Sequence, residues 1–166
     1  QFALADYGAD HMKAPHDSYF ASQDSYGIKT CKSLGIYDYV DPVSIGLEKV
    51  KLFVTLDIFW SLIDALGVCC FGYAPRGPVP IDMLVELIQA VTGTDISLYE
   101  LMKSSERNIN MARLFNIREG ITWEKDTLPD KFFEDFTDGP NKDTGAIDRK
   151  KFYKAIKSRY KMMGWD

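Results

Sequence analysis

Residues 52–71 read Leu52-Phe53-Val54-Thr55-Leu56-Asp57-Ile58-Phe59-Trp60-Ser61-Leu62-Ile63-Asp64-Ala65-Leu66-Gly67-Val68-Cys69-Cys70-Phe71. Leu52, Phe53, Leu56, Phe59, Trp60, Ile63 and Leu66 recur at spacings of three and four, the period of a helix, and the rest of the surface is also largely apolar. Such a helix is buried nearly all round. Its length raises the membrane question, but Asp57 and Asp64 inside it, with Lys49 and Lys51 just ahead, argue for a core helix. Asp41-Pro42 supplies an N-cap candidate followed by proline at the first helical position, so the helix is predicted to run from there to about Leu66. Gly67 is the residue to stop it, because glycine takes the left-handed conformation at no steric cost. Asp64 on the last turn and Cys69 after the turn then present an acceptor, free backbone amides and a soft sulfur to one point. Asp57, Trp60 and Asp64 share one side of the helix, and a carboxylate buried there needs donors. By residue type alone, a packed cysteine and a solvated aspartate remain the commoner meaning of this run.

The chain of 166 residues fits one domain with a sizeable core, and its 46% hydrophobic and 27% charged residues are those of an ordinary soluble globular protein. A net charge of −4 without a strong basic patch makes nucleic acid a poor partner. Three cysteines, Cys31, Cys69 and Cys70, cannot all pair within the chain, so a reducing, cytoplasmic setting is expected rather than a disulfide scaffold. The opening Gln1-Phe2-Ala3-Leu4-Ala5-Asp6 is not a signal peptide, lacks Met, and reads as mid-pattern in a longer protein.

The remaining signals are also helical. Phe2 to Tyr7 reads as a helix end stopped at Gly8, and a short helix is expected over residues 25–34 within a surface excursion, with Cys31 as a structural residue. Pro80 opens a helix to about Val91 with Gly93 as its stop. Ser97 and Glu100 form a capping box for a helix to about Ile117, stopped at Gly120. That helix carries a dense run of charged and amide residues, with Met111, Leu114 and Phe115 expected inside and Glu106 paired with Asn110 across one turn. A short helix follows Pro129, and a last one over residues 148–160 sets Phe152, Ile156 and Tyr160 on one side against lysines and arginines on the other. Strand patterns are lacking, so the class is all-α.

Several of these stretches share one resemblance. Asp64-x-x-Gly67-Val68-Cys69 resembles the Asp-x-x-Gly-Leu-Cys motif of the aldehyde ferredoxin oxidoreductases, the tungsten or molybdenum bis-pterin enzymes. Gly8-x-x-His11 is similar to a Gly-x-x-His stretch upstream of that motif. The run Glu106-Arg107-x-x-Asn110 through Leu114-Phe115-Asn116-x-Arg118-Glu119-Gly120 resembles a second family signature, with Ala112 where the family commonly has an acid. Thr127-Leu128-Pro129 and the ending Gly164-Trp165-Asp166 match as well. The resemblance implies that Asp64 holds a pterin and that Val68 contributes mainly backbone. It implies too that Cys69 is one ligand of a [4Fe-4S] cluster whose other ligands lie outside this chain. His11 would project toward the metal where substrate binds, and Lys13 matches a basic residue near the cofactor; His16 has no such match.

The fold so implied is an orthogonal helical bundle like the family's C-terminal domain. Residues 1–40 form the junction with the preceding domain and residues 41–166 the all-α domain itself. The implied full-length enzyme oxidises an aldehyde to a carboxylic acid and passes electrons through the cluster to ferredoxin. The chain alone, with one matched thiol and no phosphate-binding domain, is expected to be inert. Partners are the remaining domains of the same protein, ferredoxin and a small aldehyde, with a homodimer as the alternative to a single copy. Neither nucleic acid nor membrane is expected. Two rival readings are a free-standing helical interaction module without cofactor and a family member that reduces an aromatic acid thioester.

Overall fold

A computed structural model describes residues 1–165. Five α-helices carry the fold: α1 (Tyr26–Thr30), α2 (Leu47–Ala65), α3 (Ile81–Thr92), α4 (Leu98–Arg118) and α5 (Arg149–Met163). Among the described residues there is no strand, only isolated bridges at Tyr73–Val79 and Phe136–Lys142. The all-α reading therefore holds. No helix of the described residues is long and apolar enough to cross a membrane.

α2 is the spine, and residues on every side of it are buried. Leu56, Phe59, Trp60 and Ile63 enter one core with Phe20, Ile28, Ile81, Leu84 and Leu101. Val50 and Val54 enter a second core with Ile109 and Met163. Each large side chain so buried contributes roughly 2 kcal/mol of transfer free energy. Because both cores share α2, its position fixes α4 on one flank and α5 on another.

The caps follow the local sequence. Ser97 accepts from the Glu100 amide while the Glu100 carboxylate accepts from Ser97, the reciprocal box expected for α4. α2 ends in a Schellman motif: the Gly67 amide donates to the Asp64 carbonyl (3.0 Å) and the Val68 amide to the Ile63 carbonyl (3.3 Å). Gly67 sits at φ +68°, the left-handed value that motif requires.

Other expectations are corrected. Residues 41–46 are not helical: Asp41 Oδ1 accepts from the Val43 amide and the Ser44 amide bonds the Asp41 carbonyl, so Asp-Pro builds a turn and α2 starts five residues later than expected. Residues 1–7 form turns rather than a helix end. The 25–34 helix breaks into α1 and a 3₁₀ turn over Lys32–Leu34.

The largest correction concerns α4. Met111, Leu114 and Phe115 are exposed, not internal. The inward face pairs buried Leu101 and Ile109 with polar groups: Ser105 Oγ donates to the Ile58 carbonyl (2.5 Å), Asn108 to Ser61 Oγ (2.9 Å) and Asn116 to the Asp6 carbonyl (2.6 Å). Asn110 accepts from the Trp165 indole instead of pairing with Glu106, which bonds Lys103. α5 is corrected too, since Arg159 lies one heptad after Phe152 and therefore on the buried face, not among the solvated lysines.

Candidate functional site

The end of α2 is where the chemistry-bearing residues gather. Asp64 is exposed on the last helical turn, past the packed part of α2, and Cys69 is exposed just beyond the Gly67 cap. Partial burial, with Asp6, Asp10 and Asp57 nearby, pushes the Asp64 carboxyl above its ordinary pKa, against the pull of Lys13. Of the free amides expected at this turn, those of Gly67 and Val68 are already bonded inside the cap. Val68 turns its half-buried side chain to the core, as the second residue after a helix end commonly does, leaving its carbonyl as the backbone group it can offer.

The two adjacent thiols differ by one residue in register and take opposite environments. Cys69 is open to solvent, whereas Cys70 packs against the main core and burial raises its pKa. Cys31 is fully buried, and burial pushes its thiol up to about 11. A thiol held protonated in this way is a poor metal ligand and a poor nucleophile.

The segment from Asp6 to His16 folds across this end. Asp10 accepts from the Met12 amide (2.8 Å) and from the Tyr7 hydroxyl (3.2 Å), and the Met12 bond chiefly holds its carboxyl low. Desolvation, then this bond to Asp10, raises the Tyr7 phenol. His11 is exposed, with Nδ1 3.8 Å from Asp10 Oδ1 and its ring 6.1 Å from that of His16. So His11, Asp64 and Cys69 all face outward and stay available.

Lys13 does not. It is buried, with its ammonium 3.0 Å from Asp6 and 3.6 Å from Asp57, and Asp57 in turn holds Arg159 at 2.7 Å. Arg159 thus donates to one oxygen of the buried Asp57, while the other, Oδ1, has the Lys13 charge nearby but no hydrogen-bond partner. Lys13 serves the core, and two carboxylates already share its charge.

Sequence reasoning missed Arg76. It leaves the proline-rich loop after Cys70 and stacks beside the rings of Trp60 (5.7 Å) and Phe71 (5.3 Å). Its Nη2 lies 3.2 Å from His16 Nε2 and its Nη1 3.0 Å from Met12 Sδ, while its buried Nε has no partner. Arg76 therefore ties the His11 segment to the Cys70 loop. A close-packed glycine is the only local hint of this: a Cβ on Gly77 would lie 2.1 Å from the Phe71 carbonyl, so the loop can fold back only with glycine there.

Among the described residues no three His, Cys, Asp or Glu side chains converge on a metal position. What this end of the chain offers is one exposed thiol, one exposed carboxylate and one exposed imidazole. That donor set fits a share in a larger site, since a cubane cluster takes four thiolates.

The profile of the family described as aldehyde ferredoxin oxidoreductase, domains 2 and 3, matches residues 1–166. The tungsten-containing aldehyde ferredoxin oxidoreductase of Thermococcus kodakarensis is 37% identical over 132 residues, which is 78% of this chain and 21% of that relative. Those of Pyrococcus horikoshii and Pyrococcus furiosus are 36% and 33% identical over the same length and the same shares. The chain spans about a fifth of the length of these curated relatives. The helical fold, the exposed Asp64 and Cys69 at one helix end and the match over the whole sequence converge: this chain belongs to the aldehyde ferredoxin oxidoreductase family of oxidoreductases.

Proposed function

We propose that the full-length protein oxidises an aldehyde to its carboxylic acid and delivers the electrons to ferredoxin, this chain contributing its C-terminal all-α part. Water supplies the added oxygen, and each turnover releases two protons and two electrons. A tungsten or molybdenum bis-pterin centre, when bound, supplies the two-electron chemistry, and a [4Fe-4S] cluster the one-electron relay. The observation that carries this reading is the pair of exposed groups on either side of the Gly67 cap. Asp64 is an acceptor suited to the N–H groups of a pterin, and the Cys69 thiol is free to serve as one thiolate among four.

His11 has the chemistry to take or give a proton at the substrate oxygen, since its exposed imidazole nitrogens can each donate or accept a hydrogen bond. Arg76 keeps the His11 segment against the loop that carries the thiols. Lys13 acts indirectly, by holding Asp6 and Asp57 together beneath that segment. The separation of Cys69 from Cys70 by environment favours Cys69 as the ligand, in line with the count of five from Asp64.

The test uses the full-length protein. Purified without oxygen, it should contain tungsten or molybdenum and iron, and should reduce a viologen dye with an aldehyde. Cys69→Ala should lower iron content, while Cys70→Ala should leave it near that of the unmodified protein. A metal-free protein inert to aldehydes would refute the proposal, and iron loss on Cys70→Ala alone would shift the alignment by one residue.

A further inference from the structure

α4 faces the bundle with a mixed stripe: Leu101 and Ile109 are buried in the two cores, and Ser105, Asn108, Arg113 and Asn116 each bond another part of this chain. Its outward face changes character along the helix. The first half is polar, with Lys103, Ser104 and Arg107 in solvent. The last two turns expose Met111 (65%), Leu114 (66%), Phe115 (55%) and Ile117 (48%), and the patch continues past the Gly120 stop into Ile121 (43%) and Trp123 (64%). Beside it lies a groove of about 610 Å³, lined by Leu114, Ile117, Trp123, Tyr160 and Trp165 among others.

A helix facing solvent on one side buries its apolar stripe and exposes its polar one. Here the inward stripe is already engaged, so the helix cannot be rotated to bury the outer apolar residues without breaking those bonds and exposing Leu101 and Ile109. A contiguous apolar patch next to a groove with aromatic walls is the composition of an interface centre. The flanking Arg118 and Glu119 supply a charged rim.

We propose that the outward face of α4, with the adjacent groove, is an interdomain seam in the full-length protein, covered by the remainder of the same polypeptide. The inference rests on the family reading. The ground for this occupant is length: the matched relatives extend over about five times the aligned segment, so most of each relative lies outside the part this chain matches. An obligate contact within one polypeptide is also where so apolar a face belongs, because it need never meet water.

The test is hydroxyl-radical footprinting of the full-length protein, read by mass spectrometry at Met111, Leu114 and Phe115 against the same protein unfolded in guanidinium. At least about tenfold protection of all three side chains is expected, held on dilution to a concentration at which sedimentation shows a single copy. Labelling as fast as in the unfolded protein would overturn the proposal. Protection lost on dilution would overturn it in favour of a second copy. A natural polypeptide of only these 166 residues would overturn it outright. A paired variant, Leu114→Glu with Phe115→Glu, should lower the Tm of the full-length protein by several degrees, and Arg107→Glu should not; equal effects would count against the seam. Metal content and aldehyde oxidation measured on the same preparation separate the two readings. Protection without activity sinks the function and keeps the seam, and activity without protection does the reverse.

Discussion

The most informative single substitution is Arg159→Met. Arg159 and Asp57 are both about 1% exposed, and Nη2 meets Oδ2 at 2.7 Å, with Lys13 at 3.6 Å from the other oxygen and Asp6 at 3.0 Å from Lys13. The formal charges of these two acids and two bases cancel, although Asp57 Oδ1 and Arg159 Nε and Nη1 have no hydrogen-bond partner. At an effective dielectric of 20, charges 2.7 Å apart attract by about 6 kcal/mol gross. Desolvation offsets much of that when the pair forms, but removing one partner leaves the other buried and uncompensated, which costs about 3–5 kcal/mol. Methionine keeps most of the side-chain volume, so little of the loss is a cavity. Against a domain stability of about 5–15 kcal/mol the effect is large. Urea unfolding followed by circular dichroism should show the midpoint falling with the slope unchanged. The double variant, Asp57→Leu with Arg159→Met, should recover to within about 1 kcal/mol of the unmodified chain, because Lys13 keeps Asp6 and no lone charge remains. A cost below about 1 kcal/mol for Arg159→Met, or a double variant as damaged as the two singles combined, would refute the account of coupled buried charges.

Two further outcomes are expected. Asp64 has its pKa raised on folding, so ionising it opposes the folded state; that penalty grows as pH rises from the ordinary value of 3.8 and is complete above the folded value. Asp64→Asn should therefore raise the Tm of this chain at pH 7, with the gain vanishing below pH 3.8, and a gain independent of pH would show that the charge is not its cause. In the full-length protein His11→Ala should lower kcat by about 10²–10⁴-fold, the usual contribution of a proton-handling group, with tungsten and iron content unchanged. Loss of metal from that variant would instead make His11 a structural residue.

What could be read from the sequence was what depends on near neighbours. The Ser97–Glu100 box, the stops at Gly67, Gly93 and Gly120, and the burial of α2 all follow from residues within one or two turns of each other. The facing of α4 was hidden because period three-and-four spacing shows that a stripe exists, not which neighbour it meets; Met111, Leu114 and Phe115 make as good a core stripe as an interface stripe. Arg159 was hidden because its partner Asp57 is 102 positions away, although an acid inside an apolar helix signals that some donor must arrive. The turn at 41–46 was misread because Asp-Pro opens turns as readily as helices, and only the Asp41 side chain bonding Val43 decides between them. At the site, His11, Asp64 and Cys69 were found by motif spacing, whereas Arg76 has no motif and is identified only by what it touches.

The hydrogen-bonded join between α2 and α4 has a mechanical consequence. Greasy helix faces can slip by a turn and repack at modest cost, but Ser105 reaching the Ile58 carbonyl and Asn108 reaching Ser61 admit a single alignment. Those two bonds peg the helices like dowels in a jig. One pegged part ends in Asp64 and Cys69; the other displays Met111 to Ile117. The spacing between the ligand-bearing tip and the outer patch is thereby set once, in the dowels, and a substitution such as Asn108→Leu would loosen the alignment of both working surfaces without touching either.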